Sequence, residues 1–450
     1  MRLRTSAARA IITHGSPATS NATSCANTPE VASSSACIVG SCATAARVRL
    51  AAFDGAHYSD RRNRSVGKTT CKDALAAVFS AVAATHKTVN NQNDETGVPR
   101  TLLAIRPWHR FAVIEVGTGG PGQIERSARL VKPDVAIVLS VARTHTNKFA
   151  TLNDTAEEKA QLLRYLSRRG TAILNADDVH VRPMAQRCRA RVLLFGQAPD
   201  GDVVAERVES RWPDRLTFLV RAAGQQVDVR TRLVGTHWLS SVLAAIAASR
   251  VCGVPLDVVI KAVESVAPVA GRMQPIALPN GAIMVRDEEN GSPDTLSAMV
   301  KVMREATAAR RVLVMSDVSD SKANPRRRQR DFGQLAAELT GLAVFVGDHG
   351  HHAARAAAQA GMDPAACHVI PNLKSAAEFL KKQLRPGDLV FLKGRATDHL
   401  SRILFAQFGS IGCWTETCRI HRICDLCTKL QPAFDLSVAL IPARINRGPV

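Results

Sequence analysis

A chain of 450 residues with 46% hydrophobic content can bury two or three cores at roughly 100 to 200 residues per domain, so a globular enzyme is the default class. Its formal charge of +20, from 59 Lys and Arg against 39 Asp and Glu, favours anionic partners, while aromatic residues at 4% are too scarce for the stacking platforms of a nucleic-acid binder. No run approaches the roughly 20 apolar residues of a membrane span, and eleven dispersed cysteines argue against a disulfide scaffold and for a reducing cytoplasm.

Residues 1–60 are rich in Ala, Ser and Thr, nearly devoid of acidic side chains and without sustained periodicity. They read as a poorly ordered segment, with a transit peptide as the alternative for their Arg-bearing opening. SVGKTT follows at 65–70, before the helical pattern CKDALAAVFSAVAA. This is the C-terminal half of a phosphate-binding loop: backbone N–H groups around Gly67 and the helix N-terminus hold phosphates, Lys68 reaches the terminal ones, and the Thr69 hydroxyl suits Mg²⁺. Arg61 and Arg64 stand where glycines open such a loop, so a chance Gly-Lys-Thr before a surface helix is the rival reading.

Beyond it, FAVIEV from Phe111, DVAIVLS from Asp134, TAILN from Thr171 and RVLLF from Arg191 alternate with helical patterns, the signature of a mostly parallel sheet covered by helices. Glu115 ends one strand and His145 follows another, so both reach the carboxyl edge where α/β ligand sites lie. Glu115 suits a second Mg²⁺ or its water; a solvated carboxylate and a plain loop histidine are the alternatives. A helix from Asp154 to Arg169 is expected, with Asp154 as cap, Glu157 as capping-box partner and Gly170 as stop. On it Lys159 shares a face with Leu162, Leu163 and Leu166. Burial there favours the neutral amine, the form that reacts with CO₂ to give a carbamate; the alternative is a stem along the core with its head in water.

A second series follows Gly271, with RVLVMS from Arg311, LAVFVG from Leu342, HVI from His368 and DLVFLKG from Asp388. Two α/β domains are expected, at 61–267 and 268–410, joined near Ala267 to Arg272. The histidines at 349, 351 and 352 read as a polar loop, and RRRQR at 326–330 as a solvated helix start. In a tail at 411–450, Cys413, Cys418, Cys424 and Cys427 form C-x4-C-x5-C-x2-C, a candidate structural Zn²⁺ site with His421 as substitute ligand; an iron–sulfur or redox role and free thiols are the alternatives.

In order, GKTT from Gly67, NN and GVP and TLL within 90–103, EVG and PGQI within 115–124, His145, EKAQLL from Glu158, LNADD from Leu174, GTH and LAA within 235–245, GR at Gly271 and Arg272, ENGSPD from Glu289, and KGR from Lys393 resemble the Mur ligase family. The resemblance implies a P-loop central ATPase domain with a mostly parallel sheet, plus a C-terminal Rossmann-like α/β domain that closes on the nucleotide. It implies that ATP phosphorylates a carboxylate, free or UDP-linked, and that an amino-acid or peptide amine attacks the acyl phosphate. It assigns phosphate contacts to Gly67, Lys68 and Thr70, metal binding to Thr69, Glu115 and His145, and nucleotide contacts to Asn175, Asp178, Arg272, Asn290 and Lys393. Lys159, carbamylated, becomes an anion helping to hold Mg²⁺. Trp238 replaces an Asn after His237, and Ser292 another Asn. Residues 1–60 show no pattern of a UDP-sugar-binding domain, so a muramoyl peptide is not required as acceptor. The rival classes are another P-loop NTPase or phosphotransferase, and an inactive binding protein of the same fold.

Overall fold

The computed structural model describes residues 67–141, 149–318, 324–420, 423–432 and 434–441, together with the backbone of 49–54. Within the unit Ala46–Val450, the alternation seen in the sequence becomes two sheets.

The first is built from β1 (Arg49–Asp54), α1 (Lys68–Ser80), β2 (Thr85–Lys87), α2 (Gly97–Leu103), β3 (Phe111–Val116), α3 (Gln123–Val131), β4 (Val135–Val138), α4 (Leu152–Arg164), β5 (Thr171–Asn175), α5 (Met184–Arg187), β6 (Arg191–Gly196), β7 (Val203–Glu209), β8 (Thr217–Ala222), β9 (Gln225–Arg230), α6 (Leu239–Val251) and α7 (Leu256–Ser265). Its nine strands run β2-β3-β1-β4-β5-β6-β7-β8-β9, and those from β2 through β7 are parallel. The strand order reverses at β1, between β3 and β4, and in open α/β sheets the ligand crevice lies at the carboxyl ends there. Helix α6 reads LSSVLAAIAASRV, apolar on every side, and is correspondingly buried all round with α1 on the core face of this sheet.

β1 corrects one expectation. RLAAFD falls within the unpatterned 1–60, yet it forms an interior parallel strand, paired with β3 from Arg49↔Phe111 and with β4 from Ala51↔Val135. Its apolar run is only four residues, Leu50 to Phe53, with no alternation that would single it out of an alanine-rich stretch. The rest of 1–60, and Arg61 to Arg64 after it, lie outside the described residues. The β8–β9 hairpin is a further element that the sequence does not announce. It closes through Ala223 and Gly224, both at positive φ (54° and 75°), the geometry of a two-residue hairpin turn.

The second sheet comprises β10 (Gln274–Ala277), β11 (Ile283–Asp287), α8 (Pro293–Glu305), β12 (Arg310–Met315), α9 (Pro325–Leu339), β13 (Leu342–Val346), α10 (Gly350–Gln359), β14 (Cys367–Ile370), α11 (Leu373–Gln383), β15 (Asp388–Lys393) and α12 (Ser401–Phe405). The order is β10-β11-β15-β12-β13-β14, parallel except for the β10–β11 hairpin. The RRRQR run opens α9 as expected, capped by Asn324 with Pro325 in the first turn. The histidines expected in a loop instead begin α10, with His349 as its N-cap.

The cysteine-rich segment differs more. Among the described residues no group of three or more His, Cys, Asp or Glu is placed to hold a metal ion, which corrects the zinc expectation for Cys413, Cys418, Cys424 and Cys427; His421 lies outside the described residues. The physical reason is packing. Cys413 and Cys424 are buried in the second core beside Leu430, Leu436, Ile403 and Leu404, and the Cys424 sulfur faces His399 Nδ1 at 3.4 Å. The segment is fastened by polar contacts as well: the fully buried Arg286 guanidinium donates to Asp425 Oδ1 and Oδ2 at 2.6 and 2.9 Å and also to Glu288, and Arg402 donates to the Thr415 carbonyl at 2.6 Å. Asp425→Ala leaves Arg286 with Glu288 alone, and a buried, half-satisfied guanidinium costs about 1–3 kcal/mol. The expected result is a melting temperature lower by several degrees; an unchanged one would detach this segment from the core.

Candidate active site

At the reversal point of the first sheet α1 meets the end of β3, Lys72 facing Glu115, and α4 reaches the loop after β3 through Glu158. Helix α1 begins at Gly67, whose φ of 100° lies in the left-handed region, with no side-chain cap and no acidic residue in its first turn. The first N–H groups of a helix have no partner within it, and they carry the positive end of the dipole. An uncapped, glycine-led start of this kind suits a phosphate. Ser241 on α6 donates to the Gly67 carbonyl at 2.9 Å, and a Cβ on Gly67 would fall 2.8 Å from that hydroxyl. Gly67→Ala therefore combines left-handed strain with a clash, at about 1–2 kcal/mol for the strain alone. A lower melting point and a raised KM for ATP are expected; unchanged values of both would remove Gly67 from the site. Lys68, Thr69 and Thr70 follow, all buried.

Glu115 is 1% exposed at the carboxyl end of β3. Its Oε1 accepts from Asn93 Nδ2 at 2.6 Å, and its backbone N–H donates to Thr88 Oγ1 at 3.0 Å. Its Oε2 has no hydrogen bond and faces the buried Lys72 ammonium at 3.5 Å. An ionised oxygen held in place with spare lone pairs is what a hard divalent cation takes. The residues therefore fit Mg²⁺.

Lys159 is 2% exposed on α4, which corrects the alternative of a head reaching water. The helix starts earlier than expected: Thr151 is the N-cap and Asp154, three residues on, completes the capping box, because Thr151 accepts from Asp154 N–H while Asp154 accepts from Thr151 N–H at 2.8 Å. It also stops earlier, at Arg164, since Ser167 is drawn into bonds with Pro133 and Asp134. Its buried face carries Thr155, Glu158, Lys159 and Leu162.

His145 lies outside the described residues, between Val141 and Phe149. Asn175 and Asp178 fasten the chain that leads into that stretch. Asn175 Nδ2 donates to the Leu139 carbonyl at 2.8 Å, and Asp178 Oδ2 accepts from Val141 N–H at 2.8 Å while its Oδ1 accepts from His180 and Val181 N–H. Both side chains thus have structural partners in addition to the nucleotide role expected of them.

The second sheet brings Arg272 and Asn290 to a small cavity shared with His237, Trp238, Asp287 and Thr295, and Lys393 lies behind it, bonded to three of these lining residues. Arg272 is buried with its Nε lacking a hydrogen bond; burial lowers its pKa, while Glu115, Asp287 and Asp73 favour its charge. Lys393 Nζ donates to Asp287 Oδ2, to the Asn290 carbonyl at 2.8 Å and to Thr295 Oγ1 at 2.9 Å. These three acceptors match its three donors, so Lys393 pins the 288–292 loop here. His237 is neutral at physiological pH: burial foremost, with Lys393 and Lys301 nearby, pulls its pKa down to about 3. Asn91 Nδ2 donates to Glu289 Oε1 at 3.1 Å, bridging the two sheets beside the phosphate-loop helix.

Two family models match this chain, the Mur ligase middle domain over residues 65–249 and the Mur ligase glutamate ligase domain over 271–396. The chain belongs to the Mur ligase family. It is an ATP-dependent ligase that forms an amide bond. It is 29% identical over 350 residues to the UDP-N-acetylmuramoyl-tripeptide–D-alanyl-D-alanine ligase of Mycobacterium tuberculosis, covering 73% of this chain and 68% of that one. To the Escherichia coli enzyme of the same name it is 31% identical over 291 residues, 64% of each chain. Among solved structures, MurF from Acinetobacter baumannii superposes with a TM-score of 0.74 at 24% identity, covering 83% of this chain and 79% of that one. MurF from Thermotoga maritima in complex with ADP gives 0.68 at 19% identity, covering 83% of each. No helix among the described residues is long and apolar enough to cross a membrane.

Reading the Mur ligase sequence alone does not single out Lys72, Asn93 or Ser241. Lys72 is legible in principle, one helical turn beyond Lys68 and so on the same face. Ser241 carries no signal, sitting in a run that reads as core.

Proposed function

We propose that this Mur ligase joins the carboxylate of a UDP-linked muramoyl peptide to the amine of an amino acid or dipeptide, in the cytoplasm, for cell-wall synthesis. The observation that carries this reading is the pairing of an uncapped phosphate-loop helix at Gly67 with the buried, incompletely bonded Glu115 carboxylate. The names of the relatives supply the substrate class. In this reading the chain works as two lobes, the first running from β1 to residue 267 and the second from 268 onward, with the cysteine-rich segment packed on its core.

The α1 N–H groups and Lys68 bind the ATP phosphates, and Thr70 closes the loop behind them. Thr69, Glu115, His145 and Lys159 would hold Mg²⁺, which neutralises phosphate charge when bound. Lys159 takes part as a carbamate: the ammonium gives up one proton, the neutral amine nitrogen then bonds to the carbon of CO₂ and releases a second, so that a buried cation becomes an anion. The substrate carboxylate oxygen takes the γ-phosphoryl group and ADP leaves. The substrate amine then attacks the acyl carbon, the carbon–oxygen bond to phosphate breaks, and the nitrogen loses a proton as the amide forms. Arg272, Asn290, Asp178 and Asn175 border the nucleotide, and closure of the second lobe keeps water from the acyl phosphate.

Phosphate release is measured with UDP-muramoyl tripeptide and D-alanyl-D-alanine, each alone and together. Release only when both are present supports the proposal. Release with neither points to a plain NTPase, and no release with any acid and amine pair to an inactive binding protein.

A further inference from the structure

We propose that Glu158 is a positioning residue for Lys159, a carboxylate whose grip on the start of α3 fixes the rotation of α4 and so aims the lysine into the site. The inference rests on the reading of Lys159 given above.

The glycine-rich stretch GTGGPG before α3 leaves that helix without a cap of its own. Its N-cap is Gly122, left-handed at φ 79°, with no side-chain bond. The missing acceptor comes from another helix. Glu158, 6% exposed, accepts from Gly122 N–H at 2.7 Å through Oε2 and from Ile124 N–H at 2.8 Å through Oε1, with Thr118 Oγ1 a weaker donor at 3.4 Å. An ionised acceptor at the positive end of a helix makes strong, directional bonds.

The clamp is tied to the site from both sides. The loop it holds begins next to Glu115: Gly117 N–H donates to the Asn93 carbonyl at 2.7 Å, and Asn93 Nδ2 donates to Glu115 Oε1. On the other side Lys159 is the adjacent residue, about 100° further round α4. With Glu158 locked onto two backbone donors, α4 cannot rotate without breaking both, and Lys159 stays on the buried face. A cap serving stability alone would explain the bonds equally well, so the test must read Lys159 itself.

Glu158→Gln keeps size but offers one acceptor oxygen to two N–H donors. In the full chain it is measured beside Lys159→Ala for melting temperature, ATP-dependent amide formation and the dependence of rate on added bicarbonate. For Glu158→Gln the expected result is a folded protein with kcat down about tenfold and KM for ATP little changed, partly restored by bicarbonate, which does nothing for Lys159→Ala. Glu158→Asp, which keeps the charge but shortens the reach, is read in the same way should the Gln variant not fold. Wild-type kcat and bicarbonate response in the folded variant, with Lys159→Ala inactive, overturns the inference. Full activity of Lys159→Ala overturns the underlying reading instead.

Discussion

Lys159→Ala is expected to lose at least about 100-fold in the rate of amide formation, a loss typical of removing one preorganised charge from an active site. The side chain is buried on the inner face of α4, in a helix fixed at its start by the Thr151–Asp154 capping box and along its length by Glu158. A buried ammonium is costly unless paired, and near a site for a cation and phosphates a positive charge helps the phosphates but repels the metal. Conversion to a carbamate reverses the sign and supplies an oxygen donor. Because Ala also leaves a void, Lys159→Met serves as the packing control: it fills most of the volume, so a melting temperature near wild type with activity still lost separates chemistry from packing. Added acetate or formate is expected to restore part of the activity of the Ala variant by occupying the vacated space as an anion. Full activity without any added carboxylate would show the lysine to be structural.

Much of this site is legible because its residues sit at positions that sequence marks strongly. Gly67 and Lys68 stand just before a helical pattern, Glu115 ends an apolar run, and Lys159 is a charge on an apolar stripe; each signal is local. What is not legible is tertiary. β1 is a short apolar run whose meaning comes only from pairing with β3 and β4. The cysteine spacing suggests a metal because spacing says nothing of direction, and in the fold two of the four sulfurs are buried in the second core while Asp425, between Cys424 and Cys427, meets Arg286 from 139 residues away. Glu158 looks like any charge beside a lysine until α3 is placed against it. The bonds of Asn175, Asp178 and Lys393 to Leu139, Val141 and Asp287 give them a structural part that sequence does not announce, since they hold the loops from which the proposed nucleotide contacts would come.

Lys68→Ala is expected to abolish most ATP turnover while leaving the fold intact. Lys68 is the first residue of α1 and only 3% exposed, so its ammonium is presented in a desolvated setting where charge-assisted bonds to phosphate are worth roughly 1.5–3 kcal/mol each. At about 1.4 kcal/mol per factor of ten, the loss of one such contact lowers turnover by roughly 10- to 150-fold, and of two by the square of that. Alanine is the best helix former and removes no cap, because the cap position is Gly67, so α1 should form as before. Lys68→Arg tests geometry apart from charge: a planar guanidinium cannot reproduce a compact ammonium among the first N–H groups of the helix, and its activity should stay well below wild type. The assay is ADP formation at saturating acid and amine, with melting temperature as the control for folding. Wild-type turnover in a folded Lys68→Ala protein would mean that the uncapped start of α1 holds no phosphate, and the assignment of the whole loop would fall with it.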